Sequence, residues 1–106
     1  MNSFDEYRHF VRSKATTPIA CSFLGLAGEV GEVIDYIKKV EYHGHTVDRL
    51  KLINELGDVL FYLTDIADRY CECSLGDCAD ANVDKLNKRY KGAFTKEESV
   101  ARVDVK

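Results

Sequence analysis

Four carboxylates stand in two matching pairs, Glu29-Val-Gly-Glu32 and Glu55-Leu-Gly-Asp58. Each pair is spaced i, i+3, so on a helix both side chains leave from one side, a turn apart. The 22 residues between Glu32 and Glu55 give one helix room to end and a second room to return antiparallel. The two pairs then face one another across the groove. Two carboxylates about 5 Å apart repel by roughly 3 kcal/mol at an effective dielectric of about 20. Four of them are tolerable only where something positive fills the nest. Oxygen ligands without His or Cys select a hard divalent cation, Mg²⁺ with Mn²⁺ as its substitute. A carboxylate not fully committed to that cation can orient a water or take its proton, and Glu29 and Glu32 are the candidates.

An acidic pair at this spacing is ordinarily a solvated helix face. Here the motif recurs on two amphipathic segments, interleaved with Gly25, Gly28, Gly31 and Gly57. Each glycine inside a helix costs about 1 kcal/mol relative to Ala, so close helix approach or room for a ligand is expected there. Asp58, Tyr62, Asp65 and Arg69 share one helical stripe, which makes Tyr62 and Arg69 candidate donors to phosphate oxygens. Asn82, Lys85 and Arg89 share another. His43 and His45 flank a glycine in a loop and are poorly fixed as ligands.

The elements that must position these groups read as helices. A first helix is expected over about residues 3–14. Thr17-Pro18 offers a cap followed by Pro at the first helical position. A second helix over about 18–41 carries Phe23, Ala27, Val30, Ile34, Ile37 and Val40 as its buried stripe. Thr46 or Asp48 caps a third over about 46–72, with Leu50, Ile53, Leu56, Leu60, Leu63 and Ala67 inward. Val59-Leu-Phe-Tyr-Leu63 is apolar nearly all round, so a second face is expected to be covered too. Gly76 marks a turn, and a fourth helix runs to about Tyr90. The tail from Ala93 shows no strong pattern. The fold class expected is therefore all-α, a compact bundle of about four helices in a single domain over 1–106, assembled as a homo-oligomer.

Composition narrows the partners. The 106 residues carry 15 Lys+Arg against 18 Asp+Glu, a formal charge of −3. That balance argues against a nucleic-acid polymer, which needs a basic patch. No apolar run reaches the roughly 20 residues that span a bilayer. The N-terminus lacks a basic-then-apolar leader, which makes the cytoplasm the expected location. Cys21, Cys71, Cys73 and Cys78 lack zinc-site spacing, and a reducing compartment keeps them as free thiols.

The ordered set of motifs resembles the MazG-type nucleotide pyrophosphohydrolases. Their signature is Glu-x-x-Glu, a gap, then Glu-x-x-Asp. Gly25-Leu-Ala-Gly-Glu-Val-Gly-Glu-Val33 and Asn54-Glu-Leu-Gly-Asp-Val-Leu-Phe-Tyr-Leu63 look like its two halves. His43-Gly-His45, and Asn82 through Tyr90 followed by Gly92 and Phe94, look like further stretches of the small members. The likeness runs over roughly residues 24–102, with Lys91 standing where Pro commonly follows the Arg-Tyr pair. It implies an all-α pyrophosphatase fold working as a dimer or a dimer of dimers. It further implies Mg²⁺ held by Glu29, Glu32, Glu55 and Asp58, and substrate contacts from Tyr62, Arg69, Asn82 and Lys85. The implied reaction is hydrolysis of a (deoxy)nucleoside triphosphate to the monophosphate and pyrophosphate, with metal-activated water attacking the α-phosphorus. Two alternatives stand beside it: a phosphoribosyl-ATP pyrophosphohydrolase of the same fold, and a catalytically silent helical dimer that serves as a binding module.

Overall fold

The computed structural model describes residues 3–105. Four main helices follow in order: α1 (Phe4–Lys14), α2 (Ile19–Tyr42), α3 (Arg49–Cys71) and α4 (Leu75–Arg89). A short α5 (Lys96–Ala101) and a 3₁₀ turn (Val103–Val105) close the described chain. No strand occurs among the described residues, so the class is all-α as expected. No single described helix is long and apolar enough to cross a membrane.

The helix starts follow capping chemistry. Ser3 accepts from the Glu6 N–H at 3.1 Å, and Asp48, rather than Thr46, accepts from Lys51 N–H at 3.2 Å to open α3. The start of α2 differs from expectation. Pro18 is itself the cap residue, with ψ 144° and no side-chain bond, so Thr17 caps nothing. Gly76 is the second residue of α4 rather than the break assigned to it, because Ser74 and Asp77 form a reciprocal capping box on either side of it. The tail is also ordered: Thr95 accepts from Glu98 N–H at 3.1 Å and starts α5. Six residues are too few for apolar periodicity to register, so only the Thr95-x-x-Glu98 cap signature announces this helix.

Helices α2 and α3 form the central antiparallel pair, with α1 and α4 against α3. Arg8 Nε donates to Asp68 Oδ1 at 2.7 Å, and Arg12 donates to both Asp68 oxygens at 2.9 and 2.6 Å. These bonds clamp α1 onto α3 above the fully buried Val11. At the far end Arg89 forks onto Asp104 at 2.9 and 3.0 Å, which holds the tail against α4.

The buried stripe of α2 is not the one its apolar period suggests. The face turned to α3 carries Ser22, Leu26, Glu29, Val33, Tyr36 and Val40, all buried or half-buried. Phe23, Val30, Ile34 and Ile37 lie about 100° away and are 40–63% exposed. On α3, Leu50, Ile53, Leu56 and Leu63 are likewise exposed, while Ala67 is buried and Leu60 half-buried. Ser22 and Tyr36 take places in the intrachain interface because their hydroxyls find partners on Asp65 and Asp48. The all-round apolar segment Val59–Leu63 is half-buried except at Leu63, which the single chain leaves exposed, and coverage is fuller only beyond it, where Thr64, Asp65, Ala67 and Asp68 are all buried.

The pairing leaves much surface open. Accessible area is 7788 Å², against roughly 6,000 Å² for a folded monomer of this mass. The radius of gyration is 16.8 Å, where roughly 13 Å is usual for this length.

Candidate functional site

The antiparallel α2–α3 pair brings Glu29, Glu32 and Glu55 together. One carboxylate oxygen from each lies within 4.8 Å of the others. Glu32 is exposed, while Glu29 and Glu55 are half-buried. Asp58, one turn beyond Glu55, stands outside this trio but close enough to act on Glu29 electrostatically. Partial burial pushes the Glu29 carboxyl above its usual range, with Asp58, Glu32 and Glu55 adding to the push. Each pair at this separation repels by about 3 kcal/mol at an effective dielectric of 20. Among the described residues no Lys or Arg forms an ion pair with any of the four acids. The donor set is all oxygen and negatively charged, which fits a hard divalent cation and does not suit a soft one.

A cavity of about 370 Å³ opens beside the trio along the α2–α3 groove. It is lined by Gly28, Gly31, Glu32 and Glu55 and, further along, by Asp35, Tyr36, Lys39 and Lys51. Gly28 and Gly31 border open space, so their role is room rather than close helix contact. The two lysines are held in place. Lys39 Nζ lies 3.0 Å from Asp35 Oδ2, and Lys51 Nζ sits 5.4 Å above the Tyr36 ring. The lysine contact, with Lys38 assisting, lowers the Asp35 carboxyl. Tyr36 is itself pinned: its hydroxyl donates to the Asp48 carbonyl at 3.1 Å and accepts from the Asp48 N–H. One buried phenol thus ties the end of α2 to the start of α3 and sets the width of the groove.

The other end of the groove is fixed by Asp65. Ser22 Oγ donates to Asp65 Oδ2 at 2.5 Å. Arg69 donates to both Asp65 oxygens at 2.7 and 2.6 Å, and to the Thr17 carbonyl at 2.6 Å. Burial raises the Asp65 carboxyl, but the bonds from Arg69 and Ser22 outweigh it and leave it below the usual range. Arg69 shares the stripe of Asp58 and Tyr62 as its spacing requires, yet its donors serve the α2–α3 junction. Three of its five N–H donors are committed in this way. Tyr62 lies half-buried over Gly25, between this junction and the acids.

Asn82 and Lys85 are exposed on α4, which packs against α1, α3 and the tail. A single chain does not bring them into the acidic trio. Three groups that bear on the site carry no acidic motif and were missed by spacing alone. Lys39 and Lys51 stand in no motif that spacing singles out. Tyr7 of α1 lies near Asp58, and its phenol is raised first by burial and then by that charge.

No curated protein and no solved structure shows a significant match to this chain. The family of the MazG nucleotide pyrophosphohydrolase domain matches residues 21–94, a span that holds both acidic motifs and the cavity between them. With most of its length inside that match, the chain belongs to the MazG nucleotide pyrophosphohydrolase family.

Proposed function

We propose that the chain hydrolyses (deoxy)nucleoside triphosphates to the monophosphate and pyrophosphate in a Mg²⁺-dependent reaction, with Mn²⁺ as a substitute. The observation that carries this reading is the convergence of Glu29, Glu32 and Glu55 within 4.8 Å, with none of them in an ion pair with a Lys or Arg among the described residues. A divalent cation held by these three, with Asp58 alongside, supplies charge neutralisation for the phosphates and acidifies a water. Glu29 is flanked by Glu32, Glu55 and Asp58 and half-buried, so it is the carboxylate we assign to orient the attacking water and accept its proton. Glu32 has the same reach and is the second candidate. Lys39 and Lys51, on the wall of the adjoining cavity, are the cations assigned to phosphate oxygens. Tyr62 braces the nucleotide side of the acids.

The same reading makes the protein a homo-oligomer, a dimer or a dimer of dimers. Support comes from the apolar stripes of α2 and α3 that the single chain leaves open, including Ile34, Leu24 and Ile53 at 62–75% exposure. Among the described residues only Val11, Tyr36 and Ala67 are buried hydrophobics, which is a thin core for a stable monomer. Asn82 and Lys85 contact substrate in this reading only through such an assembly, with α4 of one copy approaching the groove of another. Sedimentation equilibrium checks the assembly.

Pyrophosphate release across the eight common NTPs and dNTPs plus phosphoribosyl-ATP, with Mg²⁺ and with EDTA, tests the activity. Metal-dependent turnover of at least one nucleoside triphosphate is expected. Turnover of phosphoribosyl-ATP alone moves the protein to the other branch of the fold. Silence on every compound leaves a binding module and ends the catalytic reading.

A further inference from the structure

The junction of α3 and α4 holds two thiols that the acidic site does not use. Ser74 caps α4 and forms its box with Asp77, so Cys73 is the residue before the cap and Cys78 the fourth of the helix. These are the positions that a hydrophobic staple brings into contact across a helix start. Here the staple is made of sulfur: Cys73 Sγ and Cys78 Sγ lie 3.9 Å apart. Both backbones are tied. Cys73 N–H donates to the Ala67 carbonyl at 3.0 Å and Cys78 N–H to the Ser74 carbonyl at 3.3 Å. Glu72, left-handed at φ 54°, turns the chain between the two helices. Among the described residues no other cysteine pair comes this close.

We propose that Cys73 and Cys78 are a redox modification site, closing reversibly into an intrachain disulfide across the start of α4 when a low-molecular-weight disulfide such as oxidised glutathione is present. The exposed Cys78, as thiolate, attacks one sulfur of the glutathione disulfide and expels one glutathione thiolate. Cys73 then gives its proton to solvent and attacks Cys78 Sγ, which expels the second. Two protein thiols are oxidised to one disulfide, and one glutathione disulfide is reduced to two thiols. Burial, and then the neighbouring Cys78, push the Cys73 thiol up, which fits Cys78 as the first attacker and Cys73 as the resolving thiol. Closure needs the sulfurs to approach from 3.9 Å to about 2.05 Å. A loop this short still restricts the unfolded chain, so the oxidised form is expected to melt higher by on the order of 5 °C.

The test equilibrates the full chain in glutathione buffers of rising oxidised fraction, blocks free thiols by alkylation and maps the peptides. The expected product links Cys73 to Cys78, with Cys21 and Cys71 alkylated, and reverts under dithiothreitol. Cys73→Ser is expected to trap a glutathione adduct on Cys78, since the resolving thiol is gone. Alkylation of both thiols at every buffer ratio overturns the proposal. So does pairing of either with Cys71, or a link found only between chains. If the serine variant fails to fold, the wild-type map decides alone.

Discussion

The ring of Tyr62 stands where any side chain at position 25 would have to go. A Cβ on Gly25 would meet Tyr62 Cζ at 2.5 Å and Cε1 at 2.6 Å. The glycine therefore seats an aromatic ring one turn from the acids rather than loosening α2. Tyr62 is half-buried and also meets Phe61 edge-on at 5.5 Å, so the ring cannot swing aside freely. Gly25→Ala is expected to cost about 1–2 kcal/mol in urea unfolding and to lower pyrophosphate release. Gly28→Ala, facing open space, is expected to be stability-neutral or slightly stabilising.

The acidic trio stores repulsion that a divalent cation relieves. Mg²⁺ is expected to raise the wild-type Tm, and EDTA to remove that gain. Glu55→Gln removes one member of the trio, so its metal-free form is expected to be at least as stable as wild type. Its Mg²⁺-dependent shift is expected to shrink. Turnover is expected to fall roughly 100-fold or more, the equivalent of about 3 kcal/mol of lost charge stabilisation. Full turnover in Glu55→Gln removes the trio from the mechanism.

Asp68 makes stability depend on acid. Hydrogen bonds from Arg12 and then Arg8 hold its carboxyl down at about 2, against an ordinary 3.8. The folded state binds this proton more weakly than the unfolded chain. Its contribution, about 2 kcal/mol, is present above pH 4 and lost as pH falls through 2. Asp68→Asn is expected to lose that amount at neutral pH and to match wild type near pH 2. Urea midpoints across pH 2–7 measure both.

Arg69 and Lys51 separate scaffold from substrate contact. Arg69 commits three N–H donors to Asp65 and the Thr17 carbonyl, so Arg69→Lys is expected to lower stability by about 1–3 kcal/mol. Lys51 touches Tyr36 and the cavity, so Lys51→Ala is expected to leave the urea midpoint near wild type. It is expected to raise KM about tenfold, the worth of one charge-assisted hydrogen bond. A reversed pattern would exchange their roles.

Helix existence was legible because it depends on local signals. The Asp48 cap and the three-and-four spacing of apolar residues act within a turn or two, and the four main helices fall within a few residues of expectation. The acidic pairs were legible for the same reason, since i, i+3 spacing fixes a shared side whatever surrounds the helix. Helix α5 was hidden because six residues hold too little periodicity to read.

Facing was decided by the tertiary structure. The apolar stripe of Phe23, Val30, Ile34 and Ile37 looks like the core of α2, yet the contact with α3 runs through Ser22 and Tyr36, held by partners 43 and 12 residues away, and through Glu29, which faces the other acids. Arg69 is tied in the same way, to an aspartate one turn back and a carbonyl 52 residues away. The sequence by itself determined which groups share a side of a helix, because that follows from 3.6 residues per turn. Which sides meet, which donors are already spent and where a cavity remains depend on partners distant in the chain, and only the folded α2–α3 pair decided them.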